Sequence, residues 1–250
     1  MAGQGTSGSR GLKQEDQPAF VLHTYPYSET SLVVEAFSRQ FGRIGLMAKG
    51  ARRRQSALRG LLLAFQPLNL SWGGRSELRS MLGAEWVGGQ PVLAGSALLC
   101  GFYLNELVLK LLAREDPHEA LFDSYRTALL RLATEAQPGP VLRWFERELL
   151  REIGYAPVLT QENPSGCEVI PDAHYAYVVD HGPLRVEKHT HVRRDSVLVA
   201  GQTLLDMACD DYNDPRTQLQ SKILMRLLIT HRLNGQLLRT REIYKELKDF

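Results

Sequence analysis

The residues with the clearest chemical potential are cations set close together with no acid among them. From Arg39 to Arg59 the chain carries seven Arg and Lys (Arg39, Arg43, Lys49, Arg52, Arg53, Arg54 and Arg59) and no Asp or Glu. Lys49-Gly50-Ala51-Arg52-Arg53-Arg54 directly follows the strand-like run Ile44–Ala48, and Gly50 lets the chain turn there. Such a loop can track a sugar–phosphate chain. Each neutralised phosphate releases condensed counterions, which gives affinity that ignores base sequence and falls with salt. Arg75 and Arg79 would extend the same track. A second concentration runs from Arg216 to Lys248, with eight Arg and Lys against Glu242 and Glu246; Arg226, Arg232, Arg239 and Arg241 are its candidate phosphate contacts. The formal net charge is only +2, because acids gather in Glu115–Asp123 and Asp206–Asp214. Segregated charge makes strong local fields under a near-neutral total. Tyr25, Tyr27, Phe37 and Phe41 interleave with the first basic stretch as candidates for stacking on bases, with core packing the competing placement for each.

No comparable set supports catalysis or metal binding. The chain has no Walker loop, no HExxH and no GxSxG. Gly3, Gly5 and Gly8 match GxGxxG, but no strand precedes them, so no dinucleotide site is expected. Asp210, Asp211, Asn213 and Asp214 lack the glycine and closing glutamate of a calcium loop, and helix capping suits them better. Cys167, His174, His181, His189 and His191 crowd one stretch at a spacing that fits no standard zinc module. Glu146, Glu148 and Glu152 alternate with Arg143, Arg147 and Arg151, which reads as an ion-paired helix face. We expect no catalytic residue and no cofactor. Cys100, Cys167 and Cys209 stand far apart, so a disulfide framework is excluded and a reducing, cytoplasmic location is expected. The apolar window Pro91–Ala113 contains Asn105, Glu106 and Lys110, which argues against a membrane span.

The elements that must position these residues change character along the 250-residue chain. Residues 1–16 are Gly/Ser/Gln-rich and read as a disordered tail. In SLVVEAFS, Leu32, Val34 and Ala36 share one face and Val33, Glu35 and Phe37 the other. Leu68, Leu70 and Trp72, a Gly73-Gly74 reversal, and then Leu78, Ser80, Leu82, Ala84 and Trp86 on one face predict a hairpin over 68–86. Short strands joined by glycine turns over 17–90 suggest a small closed barrel. From 91 to 158 the period becomes helical. Leu98, Phe102, Asn105, Leu109 and Leu112 mark one helix, and Leu121, Tyr125, Ala128 and Leu132 a second. Leu142, Phe145, Leu149 and Ile153 mark a third, stopped by Gly154 and Pro157. Residues 159–200 are irregular, with one weak strand pair (Ala176–Val179 and Leu184–Glu187), and 201–250 returns to helix. The fold class is α+β, multi-domain.

Four blocks carry a resemblance. AFVLHTYPYSETSLVVEAFSRQFGRIGLMAKGARRRQSALRG, LAFQPLNLSWGGRSELRSMLGAEWV, GFYLNELVLKLLAREDPHEALFDSY and LRWFERELLREIGYAP resemble the RecO family of bacterial recombination mediators, most densely over 19–86. The resemblance implies an N-terminal OB-fold, a helical bundle and a zinc-ribbon-like region. It implies binding of single- and double-stranded DNA, strand annealing and partnership with RecR. It also implies contact with the acidic C-terminal tail of single-stranded-DNA-binding protein, which helps RecA load. Zinc-bearing members place four cysteines in the ribbon; only Cys167 stands there, so no metal is expected. Arg143, beside Trp144 and Phe145, is the candidate rim for the acidic tail, with helix pairing to Glu146 as its alternative. A protein-interaction adaptor with incidental DNA binding is the competing class.

Overall fold

The computed structural model describes residues 13–186 and 195–248, which form two compact units. The GxGxxG match and both His189 and His191 lie outside the described residues.

The first unit comprises the chain to Gln90 together with Ala113–Phe122. Its strands are β1 (Gln14–Tyr27), β2 (Ser31–Ser38) and β3 (Gly42–Ala48). A single helical turn α1 (Leu58–Leu61) precedes β4 (Pro67–Gly73) and β5 (Leu78–Trp86). They close a barrel in the order β1-β2-β3-β5-β4, antiparallel except for the β3–β5 pair. Five strands can close because β1 is long and irregular: it pairs with both β2 and β4 and shifts register between Val21 and His23. Gln14–Asp16 therefore belong to a strand, which shortens the tail expected over 1–16.

Val34 and Ala36 of β2 meet Ile44, Leu46, Leu68, Leu70 and Trp72 inside the barrel. The opposite face of β2 is buried too, because the segment Ala113–Phe122 lies across it. Phe122 packs on Phe20 and Phe37 at 5.4 Å each. Gly42 shows how tightly that segment sits: its φ is +63°, and a Cβ there would lie 1.9 Å from the Asp116 carbonyl oxygen. The sequence reading assigned this segment to the helical region, since its contacts with β2 and β3 leave no local pattern.

The single face expected for β5 is corrected. Leu70 opposes Ala84 but Trp72 opposes Met81, so Leu82 is left over at a bulge. One extra residue exchanges the faces. Met81 and Ala84 pack on the core, whereas Leu82 and Trp86 are exposed.

The second unit takes Pro91–Leu112 and the chain from Asp123 onward. Its helices are α2 (Gly95–Leu111), α3 (Glu119–Thr134, from Asp123), α4 (Pro138–Glu152), α5 (Gly201–Ala208), α6 (Pro215–Arg232) and α7 (Arg239–Lys248). Strands β6 (His174–Val178), β7 (Gly182–Val186) and β8 (Ser196–Ala200) form an antiparallel sheet in the order β7-β6-β8. The region expected to be irregular thus holds a third strand, and Tyr175 and Val199 are buried in it. Tyr125, Ala128 and Leu132 face inward as their spacing predicts. The inward face of α2 differs in part: Asn105 and Leu112 are buried as their spacing predicts, but Leu98 and Phe102 are 37% and 40% exposed, and Tyr103, Leu104, Leu107 and Val108 are buried instead. Nearly every position of α2 is apolar, so its periodicity cannot select a face. Asp214 accepts from the Arg216 N–H at 2.7 Å and caps α6.

Candidate nucleic-acid interface

The loop between β3 and β4 is basic and well anchored. Ala51 is fully buried in the barrel core. The Arg52 N–H donates to the Thr30 carbonyl at 2.9 Å, and its guanidinium donates to the Ser28 carbonyl at 2.9 Å. Turns follow one another, with Arg53 N–H on Gly50 O, Ser56 N–H on Arg53 O and Arg59 N–H on Ser56 O. Lys49, Arg52, Arg53, Arg54 and Arg59 are exposed, and none pairs with a carboxylate among the described residues. The fixed backbone places positive charge in solvent without neutralising it. Arg75, in the turn between β4 and β5, is exposed in the same way.

Three other barrel cations are held on acids. Arg39 pairs with Glu119 at 2.5 Å and Arg79 with Glu115 at 2.8 Å. Arg43 lies 3.7 Å from Glu35, a buried carboxylate that also takes Arg114. Burial pulls the Arg43 guanidinium below its ordinary pKa; Glu35 opposes this and Arg114 adds to it. Arg43 is therefore held in a structural pair, unlike the open cations of the loop. Arg114, Glu115 and Glu119 were not singled out from sequence, and only the acid run Glu115–Asp123 hinted at them.

Of the four aromatics, Tyr25 (47% exposed) and Tyr27 (54%) stand at the end of β1, next to the turn that anchors Arg52. His23 meets Tyr25 edge-on at 4.5 Å between centroids. Phe37 is fully buried and Phe41 packs edge-on against Trp72 at 5.3 Å, so these two are core residues instead.

The C-terminal cations divide in the second unit. Arg226 and Arg239 are exposed. Arg232 pairs with Asp180 and lies over the Tyr155 ring at 3.6 Å. Arg241 donates to the Tyr103 hydroxyl at 3.1 Å. Both are half-buried and held by partners within the second unit.

Arg143 is buried and forks onto Glu146, with two bonds of 2.6 Å. Glu146 also accepts from the Tyr103 hydroxyl at 2.6 Å. Burial alone would lower the Arg143 pKa, but Glu146 outweighs it and holds the guanidinium above its ordinary value. The helix-pairing alternative therefore describes Arg143's immediate partner. The residue nevertheless lines a cavity of about 350 Å³ with Pro140, Tyr212, Pro215, Leu219 and the exposed Lys222. Lys222 was not singled out from sequence; its signal was its place between Leu219 and Arg226 on one side of α6.

Among the described residues no three His, Cys, Asp or Glu side chains converge as metal ligands would. Cys167 is exposed and His181 turns a ring nitrogen to the Val179 carbonyl. Among the described residues no helix is long and apolar enough to cross a membrane.

Two family models match the chain: Recombination protein O N terminal over residues 12–90, and Recombination protein O C terminal over 93–205. Relatives cover nearly its whole length. The DNA repair protein RecO of Aromatoleum aromaticum is 52% identical over 96% of this chain and 99% of its own. That of Nitrosospira multiformis is 52% identical over 94% and 97%, and that of Dechloromonas aromatica 49% over 95% and 98%.

Proposed function

The chain belongs to the RecO family, whose work is DNA repair and recombination, and we propose that it acts there as a non-catalytic DNA-binding mediator. It anneals complementary single strands and, with RecR and single-stranded-DNA-binding protein, helps load RecA. The observation that carries the DNA-binding reading is the Lys49–Arg59 loop, anchored at Ala51 and Arg52 and free of carboxylate partners among the described residues. Annealing brings two polyanions together. Cations on the sugar–phosphate chain lower that repulsion and leave the base edges free to pair. Tyr25 and Tyr27, exposed beside the anchoring turn, add a stacking surface for unpaired bases.

Replacing Arg52, Arg53 and Arg54 together by Ala flattens the salt dependence of oligonucleotide binding by about three phosphates' worth. Fluorescence anisotropy at several salt concentrations reads this, and an unchanged slope overturns the assignment. Bare oligonucleotides also separate a DNA-binding mediator from an adaptor, whose incidental DNA binding would be weak.

The acidic tail of single-stranded-DNA-binding protein fits the second unit's cavity, where Pro140, Pro215 and Leu219 offer apolar surface and Lys222 a free cation. Arg143 spends two of its five N–H donors on Glu146 and keeps the others. Reversing Arg143 would place a second carboxylate beside buried Glu146, so Lys222 is the cleaner probe. Lys222→Glu spares binding to bare DNA and slows annealing of strands coated with the partner protein. Equal rates on coated strands for variant and wild type would remove the cavity from the mechanism.

A further inference from the structure

Resting on that reading of the basic loop as a phosphate track, we infer that Trp86 is a stacking platform for an unpaired base, and that through it the barrel favours single strands over duplex. The indole is 60% exposed at the end of β5, whereas Trp72 is fully buried in the barrel core.

The topology sets Trp86 at the end of the barrel from which the loop leaves. β5 runs parallel to β3, with Ser80 opposite Met47. β3 stops at Ala48, while β5 continues to Trp86. Where β3 has ended, the loop takes its place, and α1 within that loop lies against β5. The loop then returns beside the indole. Gln66, its last residue before β4, accepts from the indole N–H at 3.1 Å, and the Pro67 carbonyl accepts from the Val87 N–H at 3.0 Å. Gly88 adds no side chain over the ring; a Cβ there would lie 3.9 Å from its outer carbons. Neighbouring Glu85 opposes Asn69 and points to the other side of the strand. No acid occurs in the loop down to Gln66.

Cations and indole supply different things. Phosphate contacts are blind to base pairing, so the open arginines hold single strands and duplex through the same charge. A base within a duplex is already stacked between its neighbours, but a base of a single strand is free to lie on an aromatic ring. Every base has a π face, so this adds strand preference without sequence preference. The bond to Gln66 holds the ring in position beforehand, which lowers the entropy lost when a base lands on it. An annealing protein so equipped grips its substrates more firmly than the duplex it makes.

The test compares labelled probes of one length by anisotropy with the full chain: a dT oligomer, an abasic strand that keeps the phosphates without bases, and a duplex. Trp86→Ala weakens binding of the dT oligomer by about five- to 150-fold, the range of one base–aromatic stack, and leaves its salt slope unchanged. Binding of the abasic strand and of the duplex stays as in wild type. A second measurement stands even if Trp86→Ala does not fold. In wild type the dT oligomer quenches tryptophan emission and the abasic strand does not, and Trp86→Phe removes that difference. Unchanged dT binding in W86A, an equal loss on the abasic strand, or equal quenching by both strands overturns this inference alone. A wild-type chain with no salt-dependent binding to any of the probes overturns the underlying reading with it.

Discussion

The arginines of the β3–β4 loop and those of the helical unit are one residue type put to opposite uses. In the helical unit Arg143 lies on Glu146, Arg147 on Asp210, and Arg232 on Asp180 beneath Tyr155. There Arg147 and Arg232 tie separate segments together, and Arg143 holds Glu146, which accepts from Tyr103 of α2. In the loop the backbone does the joining, through buried Ala51 and the turn hydrogen bonds, and the side chains stay in water. The difference lies in the reach of acids. Arg143 has Glu146 one helical turn away, whereas no acid occurs between Arg39 and Arg59. Local charge density reports a field; the availability of a given cation depends on what the fold brings to it.

The sharpest way to break this comparison is to remove an acid from the helical unit. Glu146→Ala leaves Arg143 buried without its partner and the Tyr103 hydroxyl without its acceptor. Losing one member of a buried pair typically costs about 3–5 kcal/mol. Urea unfolding should register that loss, while Arg52→Ala/Arg53→Ala/Arg54→Ala loses about 1 kcal/mol or less, from the single bond of Arg52 to Ser28. Comparable losses in the two variants would mean that the loop arginines also hold the fold.

A smaller contrast lies within the C-terminal cations. Arg232→Ala gives up Asp180 and the Tyr155 ring and should destabilise by about 1 kcal/mol with the salt slope of DNA binding intact. Arg226→Ala, exposed on α6, should do the reverse: stability within about 0.5 kcal/mol of wild type and a slope flatter by about one phosphate. Paired thermal melts and salt titrations check both. A slope that changes in Arg232→Ala, or stays fixed in Arg226→Ala, would redraw the interface.

These contrasts also mark how far the sequence could be read. Alternation within β2 and the inward face of α3 are properties of a few neighbouring residues, and both were legible. The face of β5 was not, because a bulge beside Trp72 exchanges it and no local signal locates a bulge. The exposed cluster of cations in the β3–β4 loop was legible, since its lack of acids is itself local. The fates of Arg39 and Arg79 were not, because Glu119 and Glu115 reach them through the fold of Ala113–Phe122 on the barrel. The cavity beside Arg143 was legible only in part. LRWFE displays the arginine, but Tyr212, Leu219 and Lys222 join it from distant sequence.

The smallest expected effect concerns pH, and it separates an acid that the fold uses from cations that it leaves alone. Glu106 of α2 caps α7, accepting from the Arg239 and Thr240 N–H groups at 2.8 and 3.0 Å and from the Thr240 hydroxyl at 2.7 Å. Burial alone would raise its pKa, but these bonds, with Lys110, hold the carboxyl below its ordinary value. A carboxyl lowered on folding stabilises fully above the ordinary carboxylate range. That contribution fades as pH falls through the lowered value, because the unfolded chain takes up the proton first. The stability gap between wild type and Glu106→Gln should therefore be constant near neutrality and narrow on acidification. Denaturant titrations across that range measure it. The gap between wild type and Arg52→Ala/Arg53→Ala/Arg54→Ala should stay flat over the same range, because no carboxylate among the described residues pairs with those arginines. A loop gap that also narrows in acid would reveal a carboxylate partner in solution, and the open phosphate track would lose its cations.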